Sequence, residues 1–201
     1  MIDQRFVILG ALFSFGTVLV YIRDTLNGRT QPNRVTWLLW GLAPMLAFAA
    51  ELKDHVGLGS LMTFSVGFNP LLVLVASFVN PHGSWRIGRF DYLCGGLSIL
   101  GTVAWIVTSN SDVALAAAIV ADGLAALPTV RKALISPASE SGVIFVGGIV
   151  NGTIALLAAR RIDAAHIAFP LYILLLNFAL AVIMTRGART ADSDQREICV
   201  D

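Results

Sequence analysis

Asp122 is the residue with the most chemistry to offer, because it is the one charged side chain set deep inside a long apolar run. A carboxylate at the centre of a bilayer costs roughly 2.5–3.5 kcal/mol on insertion scales, so it must face a protein interior, carry a proton or find a partner. Its flank is rich in small residues, among them Ala117, Ala118, Ala121 and Ala125, which let helices approach closely. An acid so placed suits proton coupling or direct binding of substrate. The structural alternative is an acid bonded to Ser14, Thr17 or an asparagine.

Three amides come next. Asn69 and Asn177 each sit near the middle of an apolar run, and Asn151 is a third. An amide offers two donors and an acceptor carbonyl, which suits a neutral polar ligand. The competing role is glue between helices, worth about 0.6 kcal/mol per bond in membranes. Around Asn151 lie Gly147, Gly148 and Gly152, so close packing explains that position equally well. Pro128 withholds an amide donor and frees the carbonyl near Leu124, which makes it a hinge candidate; Pro44, Pro70 and Pro170 also fall in or beside apolar runs. Trp37 and Trp40, one turn apart, read as interface anchors before they read as a ligand platform. Trp85 with Arg86 and Arg89 reads as an interfacial loop, and His55 and His166 as solvated or structural side chains at a membrane edge.

Helices in a bilayer are what must position these groups. Of 201 residues 56% are hydrophobic and only 13% charged, too few to dress a water-soluble globule. Seven apolar runs approach the roughly 20 residues that span the hydrocarbon core: 6–22, 35–50, 57–79, 92–109, 113–130, 142–159 and 164–185. Turn-forming residues such as Asn27-Gly28, Gln31-Pro32-Asn33 and Ser136-Pro137 connect them. The segment following Met1 has no small-x-small cleavage site and reads as a first helix. The net charge of +1 and the lack of a basic stripe give no sign of nucleic-acid binding.

Seven spans put the termini on opposite sides. Arg5, Lys53, Arg160 and Arg161 then face the other ten basic residues, so the positive-inside rule places the N-terminus outside and the C-terminus in the cytoplasm of an inner-membrane protein. Arg160-Arg161 is the pair that argues against it. No metal-ligand cluster, no hydrolase, zincin or Walker motif and no lysine in the seventh run is present, so neither enzyme chemistry nor a cofactor is expected. Cys94 and Cys199 should lie far apart, without a disulfide.

A shift of 108 residues lays the first three runs on the last three without a gap, and Asn69 on Asn177. Parallel three-helix units need an odd number of spans between them, which the fourth run supplies. This 3+1+3 order resembles the SWEET sugar transporters and the wider PQ-loop superfamily. The stretch Ala121-Asp122-Gly123-Leu124-Ala125-Ala126-Leu127-Pro128-Thr129-Val130-Arg131-Lys132 is similar to the PQ-loop signature, and Asn69 and Asn177 match the paired asparagines that contact substrate in SWEETs. The chain departs from the pattern in carrying Pro128-Thr129 for Pro-Gln and Val20-Tyr21 at the first-repeat position, so sugar specificity is not carried over and an uncharacterised bacterial branch is the nearer relation.

The expected architecture is an all-α membrane protein of seven transmembrane helices: a first bundle over 1–80, a loop and linker helix over 81–111, a second bundle over 112–185 and a disordered cytoplasmic tail over 186–201. The expected function is alternating-access transport of a small polar solute, with Asn69, Asn177, Asp122 and Asn151 binding substrate, Asp122 coupling protons and Pro128 as hinge. A sensor, cargo receptor or assembly factor on the same scaffold is the alternative. The partners expected are a small-molecule substrate and the lipid bilayer; two bundles make a monomer self-sufficient and are compatible with homo-oligomers.

Overall fold

The computed structural model describes residues 5–53, 60–79, 85–108, 110–159, 162 and 164–198. Each of the seven apolar runs forms an α-helix: α1 Phe6–Leu26, α2 Arg34–Lys53, α3 Ser60–Val79, α4 Arg89–Val107, α5 Ser111–Ile135, α6 Val143–Ala158 and α7 Ala164–Ile198. The boundaries follow local chemistry. α1 stops at Asn27-Gly28, where Gly28 takes φ 72°, a conformation that costs glycine nothing. Asn33 opens α2 by accepting the amides of Val35 at 3.1 Å and Thr36 at 3.4 Å. Asn110 does the same for α5 with Asp112 at 3.0 Å and Val113 at 3.1 Å. Pro137 holds Ser136 out of the helical region, so α5 ends there and a single 3₁₀ turn, Pro137–Ser139, follows.

α3 packs between α1 and α2, and α7 packs between α5 and α6. α1 meets α6 and α2 meets α5, while α4 lies against α5 and α2. α1, α4, α5 over Asp112–Ile135 and α7 over Ile167–Thr185 are long and apolar enough to cross a membrane; α2, α3 and α6 carry shorter apolar stretches. α4 exposes Tyr92, Leu93, Leu100, Ile106 and Val107. Soluble surfaces avoid apolar patches of that extent, and lipid accepts them.

Two expectations change. The chain past Thr185 is helical to Ile198 rather than irregular. It contains no proline and continues a helix already nucleated, so each added residue avoids the cost of starting one. Trp37 is not an interface anchor. It is 2% exposed, tilted against Tyr21 at 5.2 Å and edge-on to Trp40 at 5.4 Å. It packs in a core cluster with Val18 and Tyr21 of α1 and Val73 of α3, which cover its ring. Cys94 is buried as a free thiol. His55, Arg160, Arg161 and Cys199 lie outside the described residues, as does the side chain of His166.

Candidate binding cavity

A cavity of about 620 Å³ lies among α2–α7. Ala43 and Ala47 line it from α2, Thr63 and Val66 from α3, Ser98, Thr102 and Trp105 from α4. Ala118 and Asp122 line it from α5, Asn151 from α6, and Phe169 with Ile173 from α7. These residues sit in the later turns of α2, α4 and α6 and in the earlier turns of α3, α5 and α7, so the cavity occupies one half of the bundle. A smaller chamber of about 100 Å³ adjoins it at Val66, Asp122, Asn151 and Ile173, and contains Asn69, Asn177 and Ser14.

The four residues singled out as binding candidates therefore line two adjacent chambers: Asp122 and Asn151 border both, Asn69 and Asn177 the smaller one. Their commitments differ. Asp122 Oδ2 accepts the hydroxyl of Tyr172 at 2.8 Å, and among the described residues it has no cationic partner. Its partner is thus neither Ser14, Thr17 nor an asparagine: the Ser14 hydroxyl is taken by Asn69 Nδ2 at 3.1 Å, and Thr17 Oγ1 donates to the Ser14 carbonyl at 2.7 Å. Asn177 Nδ2 donates to the Ile173 carbonyl at 2.8 Å. Asn151 is 5% exposed, and its Oδ1 is buried without a hydrogen-bond partner. Glycine makes the layout feasible. A Cβ on Gly148 would collide with the Asn177 amide, and a Cβ on Gly147 with the Thr17 hydroxyl. Pro128 lies within α5, which runs on to Ile135, and the Thr129 hydroxyl beside it is buried without a partner.

The opposite half of the bundle, where α1, α3 and α5 end, is closed by polar groups that sequence reasoning passed over. Lys132 Nζ pairs with Glu140 Oε1 at 2.6 Å, both side chains fully buried. Tyr21 donates its hydroxyl to Glu140 Oε2 at 2.5 Å, and Lys132 also donates to the Gln31 carbonyl. Lys132 stands 5.6 Å over the Trp85 ring, which makes Trp85 part of this closure. Asn33 Nδ2 donates to Asp91 Oδ1 at 2.5 Å, tying the start of α2 to that of α4. Arg34 donates to the hydroxyl and carbonyl of Ser77 at 3.1 and 2.6 Å. The sequence signal for Glu140 was slight: one acid eight residues after a lysine, in a stretch that reads as a turn. Tyr172 carried a better one, a lone phenol in an apolar run at the depth of Asp122.

No protein-family model, no curated protein and no solved structure matches this chain.

Proposed function

We propose that the chain is a seven-span membrane transporter of a small solute that works by alternating access, on a scaffold similar to that of the SWEET and PQ-loop proteins. The observation that carries this reading is the cavity of about 620 Å³ between the helices, with one acid in its wall and a buried polar seal in the opposite half. Volumes of about 300–1,000 Å³ are usual for ligand sites. The paired helix contacts support a 3+1+3 order: exchanging α1 with α5, α2 with α6 and α3 with α7 leaves the pattern of neighbours among these six helices unchanged, with α4 set to one side against α5 and α2. Ser14 and Asp122, 108 residues apart, are both held by a side chain from the third helix of their own unit, Asn69 and Tyr172. With the N-terminus outside, the cavity faces outward and the Lys132 seal lies on the cytoplasmic side.

In this mechanism substrate enters the cavity against Asp122, and the two units rock to break the seal. Uptake into proteoliposomes under an imposed pH gradient tests it. The unmodified chain accumulates solute in a gradient-dependent manner, and Asp122→Asn abolishes that dependence. Gradient-driven uptake that survives the substitution removes Asp122 from coupling. A non-transporting receptor is the second reading, favoured by the commitment of the Asn69 and Asn177 amides to protein partners; binding with no flux of any solute selects it.

A further inference from the structure

We infer that the ligand of the large cavity is an organic monocation, an ammonium group on an apolar body, rather than a sugar, a zwitterion or an anion. The inference rests on the cavity reading above and names its substrate class.

The wall decides the class. Its one ionic group is Asp122, which receives a single hydrogen bond from Tyr172 and no cation among the described residues. One carboxylate oxygen is thereby fixed and the other is left for a ligand. A buried carboxylate without a counterion is costly, and a ligand that brings the positive charge removes that cost where a neutral ligand cannot. No lysine, arginine or histidine is among the described residues lining either chamber, so an anionic ligand or the carboxylate of a zwitterion would be desolvated with no cation among them to meet it. Polyols fare poorly too. The Ser98 hydroxyl is spent on the Ala121 carbonyl at 2.7 Å and the Thr102 hydroxyl on the Ser98 carbonyl at 3.0 Å. Both hydroxyl oxygens can still accept, from an N–H or an O–H alike, but neither is left to donate to a polyol's oxygens, whereas an ammonium has no acceptor to satisfy. Apart from the Thr63 hydroxyl and the Asn151 amide, the rest of the wall is apolar, alanine, leucine, valine, isoleucine, proline and glycine with Trp105 and Phe169, and is matched to an apolar or aromatic body.

Calorimetric titration of the detergent-purified chain with three matched probes tests the assignment: phenethylamine, cationic at pH 7; 2-phenylethanol, its neutral counterpart; and phenylalanine, the same amine with a carboxylate added. The expected result is that phenethylamine binds about ten-fold or more tightly than either of the others, a difference of about 1.4 kcal/mol. Asp122→Asn erases the preference over the alcohol, while Asp122→Glu keeps it. Equal binding of the alcohol or of phenylalanine, a preference unchanged by Asp122→Asn, or no binding of any probe overturns the assignment. The panel on the unmodified chain decides alone if the variants fail to fold. Proteoliposome flux separates this result from the transport reading. Amine binding without flux overturns transport and leaves the ammonium site standing; flux of a neutral polyol by a chain that does not bind the amine does the reverse.

Discussion

Asp122, in the cavity wall, is held by a hydrogen bond from Tyr172 that is modest by itself. Tyr172→Phe removes one hydrogen bond to the carboxylate, a loss of about 1.5–3 kcal/mol when the acceptor is charged. Thermal unfolding in detergent should register that loss in full for the single variant and far less in an Asp122→Asn background, a coupling that a double-mutant cycle measures. At Gly148 the effect is steric. An added methyl meets the Asn177 amide, so Gly148→Ala should cost about 1–3 kcal/mol through overpacking. Asn177→Ala should recover most of it; a Gly148→Ala chain as stable as the unmodified one would show that the amide moves aside freely. These contacts also mark where sequence reading stopped. The depth rule located Asp122 and the three amides, because polar atoms inside an apolar run are visible without coordinates. It did not say which hydrogen bonds each makes, since helix rotation about its axis decides that and the run itself carries no phase.

At the scale of helices, the end of α5 does two jobs. It carries Lys132 into a fully buried pair with Glu140, whose other oxygen accepts from Tyr21 of α1, and it reaches the α1–α2 connection through the Gln31 carbonyl. Breaking such a pair from one side strands a buried charge, so Lys132→Met is expected to destabilise by about 3–5 kcal/mol. The paired change Lys132→Met with Glu140→Leu should be much milder, because no charge is left behind. Denaturant titration of the three proteins in micelles distinguishes this from a surface ion pair, for which both variants would be near neutral. Except at the end of α7, the helix boundaries were legible in the sequence to within a few residues, since apolar run length and turn residues set them. Lys132 was not, because in sequence it is simply the second basic residue after an apolar run. It was counted among the charges facing the cytoplasm, and the fold has it inside.

Across the whole molecule the contrast between the two halves matters most. A cavity occupies one half, and the other is closed by Trp37, Tyr21, Asn33, Thr36 and the Lys132 pair, each at most 2% exposed except Glu140 at 8%. If transport proceeds by opening that seal, locking it must stop flux without touching the cavity. Gln31 and Ser139 are joined by a backbone hydrogen bond of 2.9 Å between the α1–α2 connection and the 3₁₀ turn, so Gln31→Cys with Ser139→Cys places two thiols there. In a background with Cys94 and Cys199 replaced by serine, oxidation should block proteoliposome uptake and reduction restore it, with ligand affinity at the cavity retained. Uptake that persists in the cross-linked protein would mean that this end does not open. The interleaving of α3 between α1 and α2, and of α7 between α5 and α6, was not readable, because it is a property of packing rather than of pattern.

The pairing of Asp122 with Tyr172 also imposes an order in time. The two residues are 50 positions apart along the chain. A ribosome making about 5–20 residues per second delivers α5 to the membrane several seconds before the phenol that will receive it exists. During that interval the carboxylate lacks the phenol, and its cost must be outweighed by the rest of α5, which is apolar enough to cross a membrane. Chains halted after α6 are the ones that cellular quality control should recognise and destroy.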